Sequence, residues 1–203
     1  MHTLTMDKIP IPFWEYTRWI EWLSHEEPAR VSDFAKSFSE NQVYAKTWLI
    51  EHLFMTGNHE DKNVCILGGW YGTVLVPLLE NKIKTRNIRL IDFDQKTCDI
   101  AQRIFPHIQV ECLDINFDLE KLSSDIIINT SCEHMLPMNE FDLNGLCVFQ
   151  SNNFIQETSH INCVESVDEL VEQSGITNVI YKGETQFHKW DQEHKRYMVI
   201  GER

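Results

Sequence analysis

Glycines and carboxylates follow three short apolar runs beyond residue 62, where they could bind a nucleoside. One run is followed by a glycine-containing turn, Leu67-Gly68-Gly69-Trp70-Tyr71-Gly72-Thr73. Its glycines allow close backbone approach to a ligand, and the helix expected after it offers free N–H groups to an anion. Asp92 and Phe93 end the second run, and Asp92 is placed to accept hydrogen bonds from both ribose hydroxyls. Asp114 and Ile115 follow the third run, where they would flank an adenine.

A fourth apolar run leads into a segment that carries a candidate acid/base pair. It reads Asn129-Thr130-Ser131-Cys132-Glu133-His134-Met135. Glu133 and His134 suit a reaction that releases a proton, because histidine titrates near neutrality. The alternative is a helix start, with Thr130 or Ser131 as the cap and Glu133 in the first turn. Cys132 is interpreted as a bystander, since a thiol nucleophile needs a base that lowers its pKa.

A polar segment also follows the fifth run and contains candidate substrate contacts. Asn152 and Asn153 can donate to and accept from a small polar substrate, although loop formation alone would explain two asparagines. His160 follows, but it is far from His134 in the sequence, and the pair lacks a clear carboxylate partner. The sequence therefore predicts no metal site.

The elements that position these residues are indicated by the hydrophobic pattern. Short β-branched runs alternating with helical stretches predict a parallel α/β sheet; they occupy residues 63–67, 88–91, 108–112, 125–128 and 146–149. Two further runs, 179–181 and 197–200, have no convincing helix between them and predict an antiparallel hairpin at one edge. Helices are expected over 73–79 and 95–105. The helical spacing of aromatic residues predicts a helical N-terminal cap over 1–60, before a sheet domain over 61–203.

These motifs together give a family resemblance. The chain from Val64 to Arg203 resembles class I S-adenosylmethionine-dependent methyltransferases, in which a glycine turn, two strand-end acids and a late hairpin recur in this order. Ile91-Asp92-Phe93-Asp94 followed by Ala101 has that family's spacing. The glycine turn, Asn-Thr-Ser-Cys-Glu-His-Met and Gln-Ser-Asn-Asn are also similar to an uncharacterised methyltransferase-like group of bacteriophages. The resemblance implies a Rossmann-like three-layer sandwich with a mostly parallel seven-stranded sheet. The cofactor residues it implies are Gly68, Gly69, Trp70, Tyr71, Gly72, Asp92, Phe93, Asp114, Ile115 and Asn129.

Methyl transfer from S-adenosylmethionine to a small or peptide-like acceptor is the activity that this resemblance implies. Asn129, Glu133 and His134 would contact the acceptor. Two departures leave other reactions open, because Ile66 replaces the usual acid before the turn and Trp70 replaces its middle glycine. The alternatives are aminocarboxypropyl transfer or cofactor cleavage, and a non-catalytic binding module with a decayed site. The bulk at Trp70 argues against a dinucleotide cofactor, and the absence of prolines after Asn129 argues against an exocyclic-amine acceptor.

The composition of the chain limits which binding partners and which cellular compartment are expected. The 203 residues carry 18 Lys and Arg against 31 Asp and Glu, a net charge of −13, which argues against nucleic-acid or anionic-membrane binding. Arg196 lies in a basic group interleaved with acids, which indicates a solvated face, and His194 is expected at the surface. Six cysteines without CxxC pairs indicate reduced thiols. With no membrane-length apolar stretch and no signal-peptide pattern, a cytoplasmic protein is expected, in the host cytoplasm if it is of phage origin.

Overall fold

A seven-stranded sheet forms the centre of the molecule. The computed structural model describes residues 10–118, 121–189 and 192–203. The strands are β1 (Asn63–Leu67), β2 (Asn87–Asp92), β3 (Gln109–Cys112), β4 (Leu122–Asn129), β5 (Leu143–Asn152), β6 (Asn178–Lys189) and β7 (Gln192–Glu202). The five apolar runs and the two late runs of the sequence each fall on one of these strands, and only the third run extends past its strand, by one residue at Ile108.

The strand order is β3-β2-β1-β4-β5-β7-β6. Strands β1 to β5 pair in parallel, and β7 pairs antiparallel with both β5 and β6, so the predicted mostly parallel sheet with a late hairpin is confirmed. The order reverses at β1, because β2 and β3 lie on one side of it and β4 and β5 on the other. Leu67 at the end of β1 pairs with Asn129 at the end of β4. Open α/β sheets bind ligands at such a reversal.

Helices lie before the sheet and between its strands. They are α1 (Phe13–Glu26), α2 (Val31–Lys36), α3 (Glu40–Met55), α4 (Leu75–Leu78), α5 (Gln95–Ile104), α6 (Ile115–Asp118) and α7 (Val167–Ser174). Helices α1 to α3 form the cap that the aromatic spacing predicts. None of the described helices combines the length and the apolar character that crossing a bilayer requires.

Two helices differ from the sequence prediction. The helix expected from residue 73 begins at Leu75, contains Pro77, and continues as a π-helical turn over Leu79–Ile83, because a proline removes one helical hydrogen bond. Helix α7 was not predicted, although its signal is present. Ser166 Oγ accepts from Glu169 N at 3.1 Å, and the Glu169 carboxylate accepts from the backbone just before Ser166.

The cap and one face of the sheet share a hydrophobic core. Buried side chains of α1 and α3, including Trp19, Leu23 and Leu49, belong to the same cluster as Ile66 and Val148 of the sheet. A second cluster covers the opposite face, where α7 packs. Three layers result, as predicted: cap and connecting helices, sheet, and the helices and turns of the other face.

Polar contacts fix the cap over the carboxyl ends of the strands. Tyr16 Oη donates to the carbonyl of Thr73 at 3.3 Å, and the hydroxyls of Ser37 and Thr73 lie 2.7 Å apart. Gln150 of β5 donates to the carbonyl of Ala45 in α3 at 3.0 Å. All three contacts are buried, so they orient the cap on the sheet as well as holding it there.

Candidate functional site

A cleft of about 620 Å³ opens between the cap and the carboxyl ends of the strands. Its walls come from the turn after β1, the ends of β2 and β5, the segment after β4, and the residues around α2 and the start of α3. At the floor of the cleft lie the adjacent ends of β1 and β4, between which the strand order reverses. The site therefore lies where the sheet topology predicts a ligand.

The glycine turn is closed onto Asp92 by backbone hydrogen bonds. Gly68 and Gly72 have φ of 58° and 69°, and a Cβ added at Gly68 would lie 2.2 Å from Met135 Cε. Asp92 accepts from the backbone N–H of Trp70 at 2.8 Å and of Asp94 at 3.1 Å. Burial raises the pKa of Asp92, and these amides oppose the effect. A carboxylate has about four acceptor positions, so the backbone amides do not use all of them and a hydroxyl of a ligand in the cleft can also donate to Asp92.

Trp70 and Tyr71 fold toward the cap. Trp70 takes a left-handed backbone conformation (φ 51°), which a non-glycine residue rarely adopts. Its indole N–H donates to Asp33 of α2 at 3.1 Å, and Tyr71 Oη donates to the same carboxylate oxygen at 2.8 Å. Burial raises the pKa of Tyr71 to about 12, so it remains a neutral donor. Trp70 and Tyr71 both line the cleft, and Tyr71 is fully buried. Their shared partner, Asp33, was not identified from the sequence.

The remaining predicted cofactor residues divide into two groups. Gly69 and Phe93 line the cleft, and Phe93 is 73% exposed there. Asp114 accepts from Asn116 N at 3.0 Å and begins α6, and Ile115 is buried in the second core cluster. The structure thus places Asp114 and Ile115 next to α6, outside the residues that line the cleft.

Asn129 is fully buried at the end of β4. Its Oδ1 accepts from Ser131 N at 2.8 Å, and its Nδ2 lies 3.0 Å from Met135 Sδ and 3.3 Å from Met138 Sδ. These contacts occupy both ends of the amide, so Asn129 shapes the turn beneath the cleft. The segment that follows is a short 3₁₀ helix over Cys132–His134 with Glu133 in its first turn, as in the helix-start alternative, but Ser131 makes no side-chain cap.

Glu133 is buried and reaches toward β5. Its Oε1 accepts from Asn152 Nδ2 at 2.5 Å, while its Oε2 has no hydrogen-bond partner among the described residues. Asn152 Oδ1 in turn accepts from Phe154 N. Of the two predicted substrate residues, Asn152 lines the cleft, whereas Asn153 Oδ1 accepts from Lys195 N in the hairpin.

His134 and His160 meet beside Glu133, although sequence reasoning separated them. Their ring centroids are 4.6 Å apart at an angle of 86°. One ring nitrogen of each histidine and a Glu133 oxygen all lie within 4.8 Å of one another. Burial lowers the pKa of His160. The sequence analysis found no carboxylate partner for the two histidines. In the structure Glu133 is that partner, because the loops after β4 and β5 pack against each other.

Two cations at the cleft were missed by the sequence interpretation. Arg196 is 9% exposed and donates to the carbonyl of Thr130 at 3.2 Å, so its assignment to a solvated face was wrong. Lys46 is half-buried beside Gln42, and burial together with Arg196 lowers its pKa to about 7. The sequence signal that could have identified Lys46 is that it is the single lysine of α3 and lies on the inward face of this helix. His194 was also expected at the surface, but it is buried against Phe154, with ring centroids 4.4 Å apart.

Comparisons with known proteins are consistent with this geometry. A family model described as spermine/spermidine synthase domain matches residues 43–177, more than half of the chain. No curated protein sequence matches. The N-methyltransferase NodS from Bradyrhizobium japonicum, in complex with S-adenosyl-L-homocysteine, is 14% identical with a TM-score of 0.62, over 92% of this chain and 98% of that one.

Two further solved structures share the fold. An S-adenosylmethionine-dependent methyltransferase from Clostridium acetobutylicum is 11% identical, with a TM-score of 0.58 over 93% of this chain and 99% of that one. A putative RNA methyltransferase from Pyrococcus horikoshii is 13% identical, with a TM-score of 0.57 over 78% and 81%. The chain therefore has the class I S-adenosylmethionine-dependent methyltransferase fold and belongs to the spermine/spermidine synthase domain family.

Proposed function

We propose that this protein transfers a methyl group from S-adenosylmethionine to a small or peptide-like acceptor. The observation that carries the proposal is the glycine turn closed onto Asp92 at the reversal of strand order, beneath a cleft of about 620 Å³. That volume lies in the range of small-molecule sites. The methyltransferase fold and the family match both support a transferase that uses an adenosyl sulfonium compound.

The cofactor end of the cleft fits an adenosine. Asp92 is buried, and its carboxylate keeps acceptor capacity for ribose hydroxyls beyond the backbone amides that it already binds. Phe93 is exposed at the same edge and offers a ring face to a purine. Bound S-adenosylmethionine would supply an electrophilic methyl group, whose bonding electrons remain on the neutral sulfur after transfer.

A second candidate is transfer of the propyl arm, which the family match favours because polyamine synthases move an aminopropyl group. The donor of that reaction lacks the carboxylate of S-adenosylmethionine. The cleft lining carries both signs of charge: the cations Arg30, Lys36, Lys46 and Arg196, and the carboxylates Asp33, Asp92, Asp94, Glu133 and Glu157. A cation among them, Lys36 or Arg196, can pair with the carboxylate of intact S-adenosylmethionine, so we place methyl or aminocarboxypropyl transfer ahead of aminopropyl transfer.

The acceptor end is formed by the segment after β4 and the loop after β5. Glu133 and His134 line the cleft there, and a carboxylate or a neutral imidazole can accept the proton that the acceptor loses on methylation. Asn152 holds the Glu133 carboxylate in place. Catalysis would otherwise consist of positioning the acceptor atom in line with the sulfonium methyl group.

Calorimetric titration tests the donor assignment. We expect S-adenosylmethionine to bind more tightly than its decarboxylated form, and Asp92→Ala to weaken binding by about tenfold or more. Asp99→Ala, an exposed aspartate on α5 outside the cleft, is the matched control and should bind normally. Absence of binding at millimolar donor would leave the decayed-site alternative.

Product analysis identifies the reaction. Methyl transfer leaves S-adenosylhomocysteine, whereas either propyl-arm transfer leaves methylthioadenosine. The chain is incubated with S-adenosylmethionine and fractions of small metabolites and peptides, and the adenosyl product is identified by mass spectrometry. Accumulation of S-adenosylhomocysteine supports the proposal, and accumulation of methylthioadenosine overturns it in favour of the second candidate.

A further inference from the structure

We propose that Glu133, His134 and His160 form a binding site for one divalent transition-metal ion at the acceptor end of the cleft. One oxygen and two imidazole nitrogens lie within 4.8 Å of one another. Ligand atoms on a zinc-sized ion, at bond lengths of about 2.0–2.2 Å, lie about 3.4 Å apart in tetrahedral geometry. Side-chain movements of about 1 Å would therefore bring the three atoms into coordination distance.

The Glu133 carboxylate points independently to a cation. Glu133 is 3% exposed, and its Oε2 has no hydrogen-bond partner among the described residues. Two cationic side chains line the same cleft, but neither donates to Glu133 Oε2, since Lys46 donates to Gln42 and Arg196 to the carbonyl of Thr130. A buried carboxylate oxygen without a partner is costly, and a bound metal ion would satisfy it.

Each histidine has one ring nitrogen against a backbone carbonyl, a contact that is common for histidine metal ligands. His134 Nδ1 lies 3.1 Å from the carbonyl of Ser159, and His160 Nδ1 lies 2.6 Å from the carbonyl of Phe154. A carbonyl only accepts, so each Nδ1 carries the proton and each Nε2 keeps its lone pair. Cys163 Sγ, 3.6 Å from His160 Nδ1, is a weaker and more distant partner of the same nitrogen. Asn152 fixes the other oxygen of Glu133 in the same manner.

Backbone hydrogen bonds hold the two ligand-bearing loops together. The N–H groups of Ile161 and Asn162, directly after His160, donate to the Glu133 carbonyl at 2.8 and 3.0 Å. Two histidines and one carboxylate, in a site open to the cleft, leave coordination positions for water or a ligand. This donor set suits zinc, manganese or ferrous iron. An ion here would bind an oxygen or nitrogen atom of the acceptor and ease the loss of its proton, in place of direct proton transfer to Glu133 or His134. This role rests on the proposed methyl transfer, whereas the binding of the ion does not.

Direct metal binding tests the site without an activity assay. The chain is stripped with a chelator and titrated with Zn²⁺ and Mn²⁺ by calorimetry, and Co²⁺ is followed by its visible absorption. We expect one ion per chain. His134→Ala, His160→Ala and Glu133→Gln should each lower the affinity by about tenfold or more. His107→Ala is the matched control, because His107 forms an exposed pair with Glu80 at 2.5 Å away from the cleft.

Each outcome distinguishes the site from its alternatives. Lack of saturable binding by the wild-type chain overturns the proposal, as does binding that all three variants retain, since the ion would then lie elsewhere. His134 is exposed, so His134→Ala should fold even if Glu133→Gln does not, and thermal melting of each variant checks this. Titration of S-adenosylmethionine into the metal-free chain is measured separately. Normal donor binding without metal binding would overturn the metal site alone.

Discussion

Asp92 shows how one carboxylate can organise two backbone segments and still face a ligand. It accepts from the turn after β1 and from its own strand end, and it lines the cleft. The turn residue it holds, Trp70, has a left-handed backbone that a β-carbon disfavours. The departure from a glycine at position 70 is therefore accommodated by a hydrogen bond to the same acid that the sequence predicts as the ribose ligand.

At this scale we expect Asp92→Ala to destabilise the protein as well as to weaken donor binding. The substitution leaves the N–H groups of Trp70 and Asp94 without their acceptor, which costs about 1–3 kcal/mol of unfolding free energy. Urea denaturation measures this loss. Asp92→Asn is the control, because its amide oxygen can keep one of the two bonds and the loss should be smaller. Equal stability of Asp92→Ala and the wild type would contradict the structural role.

Among the elements, α2 connects the cap to the glycine turn. Asp33 accepts from Trp70 and Tyr71, and Arg30, just before α2, pairs with Asp94 at 2.7 Å. Asp94 also caps α5 by accepting from Thr97 N at 3.0 Å. Helix α2 and the residue before it thus contact the two loops at the proposed donor end of the site, which gives the cap a direct influence on their conformation.

The Asp33 contacts can be measured by a double-mutant cycle. We expect Asp33→Ala to cost about 2 kcal/mol of unfolding free energy, because a charged acceptor of two hydrogen bonds is lost. Tyr71→Phe should cost less, since the indole bond to Asp33 remains. The double variant should then be less destabilised than the sum of the single losses. Strict additivity would show that the two side chains do not interact. Ser32→Ala, at an exposed neighbouring position, should leave stability unchanged.

The decrease in unfolding free energy at acid pH should depend on the contacts of Asp94. Burial raises the pKa of Asp94, but the Thr97 amide and the Arg30 guanidinium outweigh it, and the folded-state pKa lies below its ordinary value. A group with a depressed pKa contributes stability that is complete above about pH 5 and is lost as the pH falls through the folded-state pKa. Asp94→Asn should therefore lower the unfolding free energy by about 1 kcal/mol at pH 7 and flatten its decline in acid.

Thermal melting from pH 7 to pH 3 makes that comparison. Asp99→Asn serves as the control, because Asp99 is exposed on the same helix, α5. An acid decline in Asp94→Asn as steep as in the wild type would assign the titration to other carboxylates, such as Glu111. The hydrogen bond from Arg89 lowers the pKa of Glu111 as well.

The sequence predicted elements that depend on local pattern, and it missed contacts between distant segments. The strand-end position of Asp92 follows from its apolar run, so this residue was identified. The meeting of Glu133 with His160 was not, because it depends on how the loops after β4 and β5 pack. Arg196 was assigned to the surface because the charges around it alternate, although β7 turns its side chain into the cleft. Helix α7 was missed although Ser166 is a typical capping residue, because the helix has only eight residues and its sequence is mostly polar.

At the scale of the whole molecule, the predicted cap over 1–60 and the predicted domain over 61–203 share one hydrophobic core. Side chains of α1 and α3 pack in one cluster with those of the sheet. Buried polar contacts from Tyr16, Ser37 and Ala45 reach the sheet and the turn after β1. We propose that the two parts fold as one cooperative unit, although the boundary at residue 60 marks a change of architecture.

Denaturation followed by two probes tests this cooperativity. Tryptophan fluorescence reports chiefly on the cap, where Trp19 is buried, and far-ultraviolet circular dichroism reports on the whole backbone. We expect the two urea transitions to coincide, because separate unfolding would expose the shared core. A fluorescence transition at distinctly lower urea would instead identify the cap as an independent unit.

The position of β7 between β5 and β6 has a consequence for synthesis of the chain. The last strand in sequence is an interior strand of the sheet, so β5 keeps an unpaired edge for as long as β7 has not been made. Such an edge is a template for pairing with other chains. Arg196, which lines the cleft, is also part of β7 and is therefore absent until this strand has been made. During translation, five parallel strands therefore precede the segment that covers their edge and completes the cleft, and a nascent chain paused there presents an edge that other chains could pair with.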